Sequence, residues 1–297
     1  MFRKDKTFLL DWMQVYMEAQ ESAGKKDGSQ IKIAMRILKD YAGEMVTLDQ
    51  IDGDFCRGYI TYLLTEYHPK GKDISNYTLH NYYRALNGAL NSAVRKKKMK
   101  ANPFNELEKS EKIRKPESMR SYMTIEEVQA LIDTPMPHEE YEIVKCAYLF
   151  SCFCGLRISD IIKLKWNDVF VDRGQYRLAV SMKKTKEPIY LPLSPEALKW
   201  MPERGGKSSE DNVFDLPSAN TIRMQLKPWA KAAGISKRFS YHTSRHTFAT
   251  MMLTLGADLY TVSKLLGHAD VKMTQVYAKI INKKKDEAVN LVNGLFH

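Results

Sequence analysis

At 297 residues the chain exceeds what one hydrophobic core usually serves, because cores tend to divide near about 250–300 residues; two domains are expected. A formal net charge of +11 and a pI of about 9.3 favour a polyanionic partner. Four cysteines are too few for a disulfide framework, the absence of a C-x-x-C pair leaves a zinc site of that kind unsupported, and no uncharged apolar run approaches membrane-spanning length. The start, Met1-Phe2-Arg3-Lys4-Asp5-Lys6, leads into an amphipathic stretch rather than a signal sequence, so a cytoplasmic, nucleoid-associated location is expected. The positive excess is +6 over residues 1–115 and +5 over the remainder. Two basic halves suit a clamp around DNA better than a neutral body with a basic tail, although general solubility would also account for the charge.

In chain order, apolar residues at helical spacing predict a helix through Phe8, Leu9, Trp12, Val15 and Tyr16. A second helix runs through Ile33, Ile37, Leu38 and Tyr41, after the loop Ala23–Ser29. A third carries Leu48, Ile51, Phe55, Tyr59 and Leu63, with Thr47 as its N-cap. The fourth starts near Ser75, carries Leu79, Tyr83, Leu86, Leu90 and Val94, and ends in Arg95-Lys96-Lys97-Lys98-Met99-Lys100. Four helices without a strand pattern predict a compact bundle over 1–108. Lys96, Lys97 and Lys98 are phosphate-contact candidates beside such a bundle, and a solvated helix end otherwise.

Residues 109–120 are charged and poor in large apolar side chains, which predicts an interdomain linker ahead of a second domain over 121–297. Thr124-Ile125-Glu126-Glu127 fits a capping box. A buried helix follows around Val144–Phe153, stopped by Gly155, and another runs through Ile161, Ile162 and Leu164. After Trp166 the period falls to two. Tyr176, Leu178 and Val180, then Ile189, Leu191 and Leu193, predict a hairpin or small antiparallel sheet with Lys183-Lys184-Thr185-Lys186 at the bend. Helices over Ser218–Ala233, Ser244–Leu255 and Leu259–Leu266, and a tail from Lys284, complete a chain that is mainly α with one small antiparallel sheet.

The chemistry concentrates late in the chain. Tyr277 follows Gly267-His268 and the polar Met273-Thr274-Gln275. A phenol titrates near pH ~10 and needs nearby positive charge to act as a nucleophile. Arg157 and Arg245 could grip the non-bridging oxygens of a phosphate, because guanidinium offers paired donors and stays charged. Arg157 sits in an apolar neighbourhood and needs an anionic partner; Asp160, three residues on, could be a salt-bridge partner, an orienting group, or both. His242 and His246 lie at i and i+4 on one helical face. Thr243 stands where a zincin requires Glu, so metal binding is not expected; no cofactor is expected either. His246 fits a packed core histidine. His242 and His268 suit hydrogen bonds to phosphate or proton transfer. Lys183, Lys184 or Lys186 could protonate a leaving oxygen.

Taken together, Gly155-Leu156-Arg157, His242-Thr243-Ser244-Arg245-His246, Gly267-His268 and Tyr277 resemble the motifs of the tyrosine recombinase family of phage-type integrases and Xer-type resolvases. The resemblance implies a SAM-like core-binding bundle before an α+β catalytic domain, together a C-shaped clamp on DNA. Tyr277 would form a 3′-phosphotyrosyl bond while Arg157, Arg245, His242 and His268 stabilise the phosphorane. Lys184, which precedes Thr185, would be the hairpin lysine; members commonly follow that Thr with Gly, and Lys186 stands there instead, so Lys183 and Lys186 stay open for the role. Lys183, Thr185 and Lys186 are further DNA-contact candidates. The resemblance also implies double-stranded recombination sites as partners, a homo-tetramer in the synapse, accessory DNA-bending proteins, and integration or excision of a mobile element. The tail residues Val289, Leu291, Val292, Leu295 and Phe296 would dock on a neighbouring protomer or pack on their own domain. There is no room for an arm-binding domain before Phe8, so the chain either recognises core sites alone or is a shortened form of a longer protein. Strand relaxation of the type IB topoisomerase kind, a DNA-binding regulator with a dead site and a metal-dependent nuclease are the alternatives.

Overall fold

The computed structural model describes residues 6–25, 28–116, 120–181 and 188–278. The chain divides into two compact units, Met1–Ser118 and Met119–His297. The first contains helices α1 (Leu9–Ser22), α2 (Gly28–Ala42), α3 (Gly53–Thr65) and α4 (Asn76–Arg95). Their apolar stripes meet in one core around Met13, Ile37, Tyr59, Leu86 and Leu90, and the Trp12 indole Nε1–H donates to the Ala89 carbonyl at 2.8 Å. Val15, placed on the stripe by spacing, is 54% exposed instead.

The third helix corrects the expected boundary. Thr47 does cap a turn, with Gln50 Oε1 accepting its backbone N–H at 2.9 Å, but that turn is a separate 3₁₀ element over Leu48–Gln50. Ile51 and Asp52 are extended, and Asp52 starts α3 by accepting from the Phe55 N–H at 2.8 Å. A second cap satisfied by its own side chain splits what apolar spacing joins. At the far end, Ser75 caps α4 as expected. Lys97 adopts φ 58° just after α4, where the Lys98 N–H bonds back to the Ala93 carbonyl, and Lys96, Lys97 and Lys98 are all exposed. Leu107 and Ile113 are buried in the same core, so the segment after α4 folds back onto the bundle.

The second unit opens with α5 (Ile125–Asp133), where Thr124 and Glu127 form the expected reciprocal cap. Helix α6 (Glu142–Cys154) is buried along most of its length and ends at Gly155, which has φ +74°. The helix expected through Leu164 is shorter, a single turn α7 (Ile158–Ile161). A three-stranded antiparallel sheet follows: β1 (Val169–Asp172), β2 (Gln175–Ser181) and β3 (Pro188–Pro192), in that order. Strand β1 is additional to the expected pair. It joins β2 through Arg173 and Gly174, whose positive φ values of 51° and 79° match the twist of a tight hairpin. Leu178 pairs with Val169 on one side and Leu191 on the other, turning one sheet face onto the core.

The remaining helices are α8 (Pro195–Lys199), α9 (Ala219–Ala232), α10 (Tyr241–Thr254), α11 (Leu259–Leu265) and α12 (Lys272–Ala278). Helix α10 begins three residues before the expected Ser244, because Thr243 Oγ1 accepts the Ser240 N–H at 3.0 Å and caps the chain there. That early start places His242, Arg245 and His246 on one continuous helix. Helix α12 was not expected; it carries Tyr277. No helix among the described residues is long and apolar enough to cross a membrane.

Candidate active site

Serine and tyrosine hydroxyls assemble the site by tying α10 to α6. Tyr241 Oη donates to the Ala147 carbonyl at 2.6 Å, and Ser244 Oγ lies 2.8 Å from Ser151 Oγ, which donates to the Leu156 carbonyl at 2.6 Å. The Gly155-Leu156-Arg157 turn is thereby held against α10. Gly155 is required there twice over. Its left-handed backbone favours glycine, and an added Cβ would meet the Phe248 ring at 2.6 Å.

Arg245 is 2% exposed. Its Nη1 donates to the Gly155 carbonyl at 2.7 Å and its Nη2 to the Leu266 carbonyl at 2.5 Å. Both carbonyls lie at helix C-termini, where unpaired acceptors and the helix dipole favour a cation. Burial, then Arg157, pulls its pKa down to about 10, while Tyr277 and Asp160 oppose the shift; Arg245 remains charged at neutral pH. Arg157 is the N-cap residue of α7. Asp160 Oδ2 accepts its backbone N–H at 3.3 Å and lies 4.0 Å from its Nη1, so Asp160 both pairs with Arg157 and orients it.

The imidazoles are set by the same cations. His268 is driven down to about 4 by burial, followed by Arg245, Arg157 and Arg120. His242, on the exposed edge of α10, is lowered by burial and then by Arg245, Arg120 and Arg157. Both are therefore neutral near pH 7 and offer hydrogen bonds rather than charge. His268 Nδ1 engages the buried Thr274 hydroxyl at 2.7 Å, fixing α12 to the turn after α11.

Tyr277 lies three residues beyond Thr274 on α12 and is 1% exposed. Its hydroxyl accepts from Arg120 Nη1 at 3.1 Å and lies 2.6 Å from His246 Nδ1. His246 is 8% exposed, a packed and hydrogen-bonded histidine as expected, and its ring stands 4.4 Å from that of His242. Burial, His242 and Arg120 push its pKa down to about 3. The second unit thus brings Arg157, His242, Arg245, His268 and Tyr277 into one electrostatically coupled cluster. Lys183, Lys184, Thr185, Lys186 and the tail from Lys284 lie outside the described residues. Lys96, Lys97 and Lys98 belong to the first unit. Arg120, the last residue of the expected linker, also belongs to the site through its contact with Tyr277. No sequence pattern marks an arginine 157 positions ahead of its partner.

Residues 121–284 match the phage integrase family and residues 8–114 match the phage integrase SAM-like domain. The chain belongs to the phage integrase family of tyrosine recombinases. It is therefore a tyrosine recombinase, a DNA strand-exchange enzyme with a SAM-like domain ahead of a catalytic domain. A tyrosine recombinase of Pseudothermotoga lettingae is 29% identical over 242 residues, which are 74% of this chain and 82% of that one. Tyrosine recombinase XerD of Vibrio vulnificus is 32% identical over 57% of this chain and 59% of its own length. The fold is shared with the Tn1549 transposon integrase in complex with circular intermediate DNA (TM-score 0.71, 17% identity, 91% and 94% coverage). It is shared too with a lambda integrase tetramer bound to a Holliday junction (TM-score 0.68, 21% identity, 92% and 78% coverage).

Proposed function

We propose that this recombinase cuts and rejoins double-stranded DNA at specific sites through a 3′-phosphotyrosyl intermediate on Tyr277, moving a mobile element by integration or excision. The observation that carries this is the meeting of Tyr277, two arginines and two neutral imidazoles in one unit, drawn from four separate segments of the chain. A phosphodiester entering the cluster brings its anion to Arg157 and Arg245. The Tyr277 hydroxyl releases its proton to solvent as its oxygen bonds to phosphorus, and the bond to the 5′-oxygen breaks in the same step. Arg157 and Arg245 then carry the added charge of the phosphorane, where loss of one such donor costs about 10²–10³ in rate. His242, and His268 through Nε2, donate to the same oxygens. Lys184 delivers the proton to the departing 5′-oxygen. Attack by a partner strand's 5′-hydroxyl reverses the bond changes, so the energy stays in the phosphotyrosine and no nucleotide cofactor is consumed.

The Tyr277 hydroxyl is buried, so the entering phosphodiester must displace its cover while the oxygen keeps its partners. Four protomers on two duplexes form the proposed synapse, with DNA-bending proteins as accessory partners. A nicked suicide duplex bearing the chain's own site tests the chemistry: a covalent adduct is expected with the wild type, undiminished in EDTA, and none with Tyr277→Phe. Recombinant products between two marked duplexes are expected; relaxation alone would instead assign a type IB topoisomerase-like activity.

A further inference from the structure

We infer that Arg120 and His246 are positioning residues that clamp the Tyr277 hydroxyl between a guanidinium donor and an imidazole acceptor. The inference rests on Tyr277 being the nucleophile. Arg120 reaches the oxygen at 3.1 Å and its guanidinium carbon stands 5.6 Å from the centre of the phenol ring. Guanidinium can only donate, so Arg120 occupies a lone pair of the oxygen and the phenolic proton is left to point at His246 Nδ1, 2.6 Å away. His246 then carries its own proton on Nε2. Its neutrality fits its surroundings: His242 and Arg245 on α10, Arg120 ahead of α5, His268 after α11 and Tyr277 on α12 face it, and burial with the positive groups among them opposes a second proton.

Satisfying a buried phenol does not by itself demand such partners in this chain. Tyr241 uses a backbone carbonyl, and the buried hydroxyls of Tyr59 and Tyr148 have no hydrogen-bond partner among the described residues. Around Tyr277 the partners come from remote segments, 157 and 31 positions away. The backbone behind Arg120 is also anchored. The Met123 N–H donates to Thr247 Oγ1 at 2.9 Å, and that hydroxyl donates to the Thr243 carbonyl at 2.9 Å. Arg120 is thus three residues from a fixed point on α10, the helix that carries His246. A clamp built from both sides confines the oxygen, and confinement is what a near-attack geometry requires.

The test is single-turnover adduct formation on the nicked suicide duplex, measured against protein concentration for the wild type, Arg120→Ala, Arg120→Lys, His246→Leu and His246→Asn, with thermal melting of each. Arg120→Ala and His246→Leu are expected to slow the saturated rate by roughly 10–100-fold without moving the half-saturating concentration beyond about threefold. Asn places its Oδ1 near the position of Nδ1, and lysine keeps a cationic donor; each is expected to recover part of the loss. If a truncated variant does not fold, the decision passes to the two conservative ones, where a lower rate at an unchanged melting temperature supports the clamp and a wild-type rate overturns it. Wild-type rates in folded Arg120→Ala and His246→Leu overturn it, as do faster rates, which would mark a restraint rather than a guide. Rate losses that merely track melting, with the conservative variants as poor as the truncations, also overturn it. A wild type that forms no adduct overturns the assignment of Tyr277 itself, and the clamp with it, an outcome distinct from normal adduct formation with indifferent variants.

Discussion

Arg245 shows why two cations of equal charge are not equivalent. Its two donors reach carbonyls at the ends of two helices, and its charge faces Tyr277 and Asp160. Lysine carries the charge as a point and cannot span both carbonyls. Arg245→Lys is expected to cut single-turnover adduct formation by about 10²–10³ and to lower the melting temperature of the full chain. The imidazoles yield a second prediction, in pH. Folded His268 and His246 protonate near about 4 and about 3, against about 6.5 when unfolded. Below about 6.5 the unfolded chain therefore binds more protons, so the stability these groups contribute is present above that pH and is lost as pH falls toward about 4. Urea midpoints measured across that window should fall steeply for the wild type and less steeply for His268→Asn. Residue chemistry was the most legible layer in the sequence. Arg157, His242, Arg245, His268 and Tyr277 stand in a recognisable order, and Asp160 was marked by its spacing from Arg157. Arg120 was not legible, because its role is a contact between chain segments far apart.

At the scale of elements, caps explain both successes and misses. Ser75 and Thr124 start helices as their side chains predict, whereas Asp52 restarts one inside what apolar spacing reads as a single run. Strand β1 escaped because its four residues are too few to establish an alternation. Helix α12 escaped because its apolar residues do not mark the buried face: Met273 and Val276 are exposed, while the two inward residues, Thr274 and Tyr277, are held by partners from elsewhere. Gly155 ends α6 and lends its carbonyl to Arg245, so its conformation bears on stability and site alike. Gly155→Ala forces an L residue into a left-handed backbone, at about 1–2 kcal/mol, and drives a methyl into Phe248. The expected outcome is a chemical-denaturation loss at least that large, together with slower adduct formation.

Across the whole chain, the +11 charge and the exposed lysines after α4 predict DNA binding that weakens steeply with salt. Replacing Lys96, Lys97 and Lys98 together by Gln is expected to flatten the dependence of log affinity on log salt by about 0.9 for each phosphate no longer neutralised. An unchanged slope in a binding titration from low to moderate salt would remove these lysines from the DNA-contacting surface. Because they sit on the first unit, the rate of adduct formation at saturating protein should change little, whereas the Arg245 variant should lose rate at any protein concentration.

What the amino-acid order determined alone was local: where apolar spacing makes helices, where alternation makes strands, where small polar side chains begin helices, and which functional groups are present to handle a phosphate. Each of those depends on neighbours within a few residues, so a linear reading contains the cause. Only the folded chain decided that Tyr277 is covered, that its hydroxyl is shared by Arg120 and His246, that Arg245 spends donors on two helix ends, and that the imidazoles are neutral. Those outcomes follow from desolvation and from charges brought together across up to 157 positions, and neither quantity exists until the chain has packed.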